Sequence, residues 1–128
     1  VKVLLDTCTV LWAALSPFAL SRKARQIIID ESNVIFVSAA SAWEIATKVR
    51  AGKLPGAEKL ERNFLDVMED AGYTLLAIDV ESALRAGRLP AEHRDPFDRM
   101  IAAQALGRDI PVLSSDSQLD QFGIRRIW

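Results

Sequence analysis

The sequence predicts an α/β domain of three layers, α/β/α, with a central parallel sheet of four to five strands. Three observations predict it. Short, continuously apolar runs recur at 3–5, 34–37, 74–78 and 112–113, as expected of strands covered on both faces. Helix-forming stretches separate them, and repeated β-α units imply parallel pairing with right-handed crossovers. The 128 residues are one domain's worth, so residues 1–128 are read as a single unit.

Each element follows from local chemistry. The first strand, 3–5, runs into Asp6, and a short helix follows over 9–15. Ser21 can cap the next helix, with Ala24, Ile27 and Ile28 as its apolar stripe. The second strand leads to Ser38, which can cap a helix reaching about Arg50; Ala39, Ala42, Trp43, Ala46 and Val49 share a face, and Gly52 ends it. Residues 52–56 form a loop. Residues 57–71 form one helix with Leu60, Phe64, Leu65 and Met68 in register, stopped by Gly72. After the third strand a short helix spans about 80–86, before Gly87. Asp95 caps the following helix, Pro96 takes its first position and Gly107 closes it. The fourth strand is 112–113, a last helical turn spans 116–122, and a short fifth strand lies around 124–127.

Half of the residues are apolar and about a quarter charged, which excludes a disordered or collagen-like chain. A single cysteine, Cys8, excludes an intrachain disulfide and suits a reducing compartment. No apolar run approaches a membrane span, and the opening VKVLLD leaves no room for a signal peptide. The expectation is a soluble, cytoplasmic protein with no membrane partner. The net charge is −1, yet setting aside Asp6, Glu44, Asp98 and Asp116 leaves 13 acids against 16 bases. An acidic pocket in a mildly basic body suits a metal-dependent enzyme with a polyanionic substrate.

Asp6 and Asp116 fall at or just beyond predicted strand ends, where ligands bind in open α/β sheets; Glu44 lies in the second turn of the helix after the second strand and Asp98 in the first turn of a helix after a Pro- and charge-rich segment, so that all four fall toward one rim of the sheet. Converging carboxylates repel one another, and a divalent cation relieves the repulsion. Hard oxygen ligands favour Mg²⁺ or Mn²⁺ over zinc, since the chain offers one His and one Cys. Each acid also has a purely structural role open to it. Asp6 can cap the helix near Thr9. Glu44 can pair with Lys48 four residues on. Asp98 suits a first helical turn, three residues after the cap Asp95. Asp116 can cap the last turn, as can Ser114 or Ser115. His93 reads as a solvated loop histidine and Cys8 as a small buried residue. Trp12 and Trp43 read as core, and Arg22, Lys23 and Arg25 as a solvated helix face.

Four stretches carry a family resemblance: Leu4-Leu5-Asp6-Thr7; Ser38-Ala39-Ala40-Ser41-Ala42-Trp43-Glu44-Ile45; His93-Arg94-Asp95-Pro96-Phe97-Asp98-Arg99-Met100; and Ser114-Ser115-Asp116. In order and spacing the chain resembles the PIN-domain ribonucleases of the VapC type, the toxin half of type II toxin–antitoxin pairs. The resemblance implies a PIN-like fold and Asp6, Glu44, Asp98 and Asp116 as the catalytic acids that bind Mg²⁺ or Mn²⁺. Ser114 matches the family's Ser/Thr two residues before the last acid, and Asp95 is a fifth, supporting acid. It further implies cleavage of single-stranded RNA, a homodimer, and a cognate antitoxin that brings a basic side chain to the site. Such a partner would lie over apolar surface near 9–31 and 38–62, with Trp12, Leu15, Phe18 and Leu20 as candidate contacts.

Three alternatives compete. In a haloacid-dehalogenase-like phosphatase Asp6 would be a nucleophile, but that family expects a second Asp where Cys8 stands and a Lys ahead of its late acids. A PIN-like binding module would not need all four acids. A PIN nuclease of RNA processing or decay, with no antitoxin, differs from a toxin only in its neighbouring reading frame.

Overall fold

A computed structural model describes all 128 residues of the chain. Five strands build its sheet: β1 (Lys2–Leu5), β2 (Val34–Ser38), β3 (Thr74–Leu76), β4 (Val112–Leu113) and β5 (Arg126–Ile127). Their order is β3-β2-β1-β4-β5, and every pairing is parallel. Leu5 is in register with Val37 on one side and Leu113 on the other, so the ends of the three central strands lie level. The chain leaves β1 toward β2 and β3, then returns to place β4 against the other edge of β1. The topological switch point therefore lies at the end of β1, where Asp6 stands.

Seven α-helices cover the sheet: α1 (Thr7–Leu15), α2 (Arg22–Ile29), α3 (Ala39–Arg50), α4 (Glu58–Arg62), α5 (Phe64–Asp70), α6 (Val80–Arg88) and α7 (Pro96–Arg108). Short 3₁₀ turns span Pro17–Ala19 and Ser117–Phe122. Alternate strand residues point to opposite faces, which divides the core in two. Val3, Leu5, Ile35 and Val37 pack with Val10, Ala24, Ile45, Leu60, Phe64 and Met68 from α1 to α5. Leu4, Phe36 and Val112 pack with Ile101, Ala102 and Ala105 of α7 and with Leu119 and Phe122. This is the predicted three-layer α/β/α arrangement. Each large side chain so buried contributes about 1.5–3 kcal/mol.

Several local expectations are corrected. The helix expected over 57–71 is two, broken at Asn63, whose side-chain amide donates to the Lys59 carbonyl at 3.0 Å. The backbone bonds from Asn63 to Lys59 and from Val67 to Asn63 persist, so Leu60, Phe64 and Met68, four residues apart, still share one buried face while Leu65 is exposed. Helix α7 runs through Gly107 to Arg108 and is closed by Asp109 in the left-handed region, at φ 53°. Helix α6 likewise continues through Gly87. Strand β3 is an edge strand with Thr74 and Leu75 exposed, so it is not covered on both faces.

The buried face of α3 is rotated from the predicted stripe. Ala40, Ser41, Glu44 and Ile45 are buried, whereas Trp43 is 60% exposed. Cys8 is exposed rather than core. Trp12 is half-buried, packed on the first core cluster, and meets Trp128 in a tilted ring pair at 5.7 Å. No helix is long and apolar enough to cross a membrane.

Candidate active site

Asp6 ends β1 and caps α1, because its extended backbone frees the side chain to reach forward. Its Oδ1 accepts from the Thr9 amide at 2.8 Å and lies 2.6 Å from the Thr9 hydroxyl. That hydroxyl is also 2.9 Å from the Leu113 carbonyl oxygen, and its one proton serves one acceptor at a time. Asp6 Oδ2 accepts from Ser114 Oγ, and Ser114 Oγ in turn accepts from the Asp116 amide at 3.0 Å. One buried serine thus links the acid after β1 to the acid after β4. Asp116 also caps the 3₁₀ turn, accepting from the Gln118 amide.

Glu44 reaches the same region from α3. A hydrogen bond of 3.0 Å between Thr7 Oγ1 and Ser41 Oγ ties α1 to α3 one turn earlier. Glu44 is 5% exposed. Its Oε2 accepts from Lys48 Nζ at 2.5 Å, and its Oε1 is buried with no hydrogen-bond partner. The ion pair expected from the spacing is therefore present, but it satisfies one carboxylate oxygen and orphans the other. Asp98 comes from the first turn of α7. Asp95 caps that turn, its Oδ1 accepting from the amides of Phe97 and Asp98. Trp43 meets Phe97 edge-to-face at 4.8 Å, which locks the turn holding Glu44 against the turn holding Asp98.

His93 is the functional-site residue that the sequence reading missed. It is not a solvated loop residue: its side chain is 16% exposed, and its Nε2 lies 2.8 Å from Asp98 Oδ2. One ligand atom each from His93, Asp95 and Asp98 lie within 4.8 Å of one another; Asp6, Glu44 and Asp116 fall outside that group, and within it His93 Nε2 is engaged by Asp98 Oδ2. The sequence signal available was position alone, since His93 stands two residues before the cap that aims Asp98.

The electrostatics join these residues. Burial, more than repulsion, pushes the Asp98 carboxyl up to about 6; its His93 hydrogen bond opposes the rise, and the charges of Asp95 and Glu44 add to it. Burial also lifts Asp6 above the ordinary carboxylate range, against its bonds from Ser114 and Thr9 and with a contribution from Asp116. The Cys8 thiol rises to about 11, through partial burial first and then the charges of Asp6, Glu44 and Asp98. Three carboxylates from three elements are thus felt at one thiol.

A model of the PIN domain family matches residues 3–124. The chain belongs to the PIN domain family. Over 57 residues, 44% of its length, this PIN domain is 44% identical to Ribonuclease VapC16 of Mycobacterium tuberculosis, and the match spans 40% of that protein. Among solved structures it is similar to VapBC2 from Rickettsia felis bound to a DNA fragment from their promoter. The TM-score is 0.74 at 14% identity, over 99% of this chain and 98% of that one. FitAcB from Neisseria gonorrhoeae gives a TM-score of 0.63 at 18% identity, over 98% and 96% of the two chains. At such identities the likeness is one of fold, and it agrees with the fold that the sequence predicts.

Proposed function

We propose that this PIN domain is a metal-dependent endoribonuclease and the toxin of a type II toxin–antitoxin pair, working in the cytoplasm. The observation that carries the proposal is the orphaned Glu44 Oε1, buried on α3 without a hydrogen-bond partner, on a carboxylate whose charge is felt at Asp98. A buried acceptor without a donor costs about 1–3 kcal/mol, and a cation satisfies it. The donors are hard oxygens, which fit Mg²⁺ or Mn²⁺. Asp6, Glu44, Asp98 and Asp116 would hold the ion. Bound there, a divalent metal lowers the pKa of a water and neutralises charge on a phosphodiester.

The chain's own residues prepare that site. Ser114 holds Asp6 and Asp116 in register through its one hydroxyl. Asp95 orients the first turn of α7 by capping it. Lys48 neutralises Glu44 in the metal-free protein. Because the site accepts an ammonium from its own chain, it suits a guanidinium from a partner, which offers more donors to carboxylates. That supports inhibition by an antitoxin with a basic side chain. Leu15 and Phe18 are exposed, and Leu15 borders a groove of about 470 Å³ that Lys59, Leu60 and Val67 also line. Of the other candidate contacts, Leu20 is buried and offers no free surface, and the half-buried Trp12 packs one side on the core. The exposed Trp43, Val80 and Leu84 leave apolar area for the homodimer.

Cleavage of single-stranded RNA tests the proposal. The purified protein should cleave with Mg²⁺ or Mn²⁺ and stop in excess EDTA. Asp6→Asn should keep the fold and lose most cleavage. Undiminished cleavage in EDTA, or by Asp6→Asn, would remove the proposal.

A further inference from the structure

The connection between α6 and α7 contains no regular element, yet it delivers His93 to Asp98. Arg99, in the first turn of α7, shapes it. A guanidinium carries five N–H donors in a planar fork. No carboxylate lies within ion-pair distance of this one. Its donors go to backbone carbonyls instead. Nε donates to Ala86 at 3.0 Å, Nη1 to Ala91 at 3.0 Å and to His93 at 2.9 Å, and Nη2 to Leu89 at 2.6 Å, with Gly87 at 3.5 Å. The carbonyls of Ala86 and Gly87 belong to the last turn of α6, where a helix leaves acceptors unsatisfied and its dipole favours a cation. The other three belong to the connection itself.

His93 is then fixed from several sides. Its carbonyl is held by Arg99, and its amide donates to Gln121 Oε1 at 3.3 Å. Its ring meets Phe122 edge-on at 5.6 Å, and the Arg99 guanidinium lies over the same Phe122 ring at 5.9 Å. With its proton on Nε2, the ring donates to Asp98 Oδ2 and leaves Oδ1 without a hydrogen bond. We infer that Arg99 and His93 are positioning residues: Arg99 folds the 89–95 connection, and His93 then holds the Asp98 carboxylate in the orientation that a divalent cation needs. This inference rests on the proposed metal-dependent nuclease site. Groups that orient a ligand in this way typically carry 10–100-fold in metal affinity. A lysine at position 99 keeps the charge but not the fork, so it cannot hold so many carbonyls at once.

Mn²⁺ binding by isothermal titration calorimetry tests the inference, with circular dichroism and thermal melts confirming that each variant is folded. His93→Ala and Arg99→Lys should each weaken Mn²⁺ binding by about 10–100-fold. His93→Gln, whose amide can still donate to Asp98, should recover part of the loss. The double variant should bind no more weakly than the weaker single, because Arg99 acts through His93. Pulsed electron paramagnetic resonance should detect no nitrogen bound directly to the Mn²⁺. If Arg99→Lys does not fold, the His93 variants and the resonance spectrum decide the matter. Binding by His93→Ala equal to that of the parent, additive losses in the double variant, or a directly bound nitrogen would overturn the inference. Should Asp98→Asn abolish binding while His93→Ala leaves it intact, the nuclease proposal stands and this inference alone falls. A folded parent that binds no Mn²⁺ removes both.

Discussion

Asp98→Asn should stabilise the metal-free protein at neutral pH while damaging the site. The Asp98 carboxyl is raised from 3.8 to about 6, chiefly by burial, and its side chain is 21% exposed. Its charged form is therefore disfavoured in the folded state. A group with a raised folded pKa contributes its stability below the unfolded value and loses it as pH rises through the folded value. For Asp98 that window runs from about 4 to about 6. Two units at about 1.4 kcal/mol each give a cost on the order of 3 kcal/mol at neutral pH, an upper figure because the neighbouring carboxylates share the strain. Asparagine removes the charge and keeps an acceptor for His93. Urea denaturation in EDTA should show Asp98→Asn more stable by about 1–3 kcal/mol near pH 7.5, with the gap closing toward pH 4.5. The exposed Asp30, Asp79 and Asp120, held by Ser32, Ser82 and Arg126, do not obscure this, because their pKa values are lowered and their contributions are lost only at more acidic pH. Equal stabilities near pH 7.5, or a gap that does not change with pH, would refute the reasoning.

Three further outcomes follow from the hydrogen bonds. Ser114→Ala removes the hydroxyl that donates to Asp6 and accepts from the Asp116 amide, and denaturation should show a loss of about 1–3 kcal/mol. Lacking that donor, Asp6 rises further, so Mn²⁺ binding in the variant should need higher pH. Asp95→Ala strips the cap from α7 and should cost about 1 kcal/mol by the same assay. Lys48→Met leaves both Glu44 oxygens without a partner; the metal-free protein should melt lower, and its gain in melting temperature on adding Mn²⁺ should exceed the parent's.

The layers and strands were legible because the strand runs are short, apolar and separated by capped helices. Asp6, Ser38 and Asp95 signal their caps in one residue each, and all three accept from the following turn. Asp6 and Asp116 were legible as strand-end residues and Glu44 and Asp98 as early-turn helix residues, but their surroundings were not. On α3, apolar periodicity assigned Trp43 to the core, because an amphipathic pattern treats every polar residue as solvent-facing. Ser41 and Glu44 turn inward instead, the first to Thr7 and the second to Lys48, and Trp43 is carried outward to Phe97. The environment of His93 is set by Arg99 and Phe122, contacts across the fold that no local pattern encodes. The break at Asn63 was readable in principle, since asparagine disfavours a helix interior, but the unbroken apolar register of Leu60, Phe64 and Met68 concealed it.

The central claim is that carboxylates from separate elements share one cation. Anomalous diffraction from crystals grown with Mn²⁺ tests it most directly. A peak is expected within about 2–2.5 Å of carboxylate oxygens from Asp6 and from Asp98, with Glu44 Oε1 turned toward it. Crystals with Mn²⁺ bound elsewhere, and with Asp6 and Glu44 contacting no ion at saturating concentration, would contradict the claim.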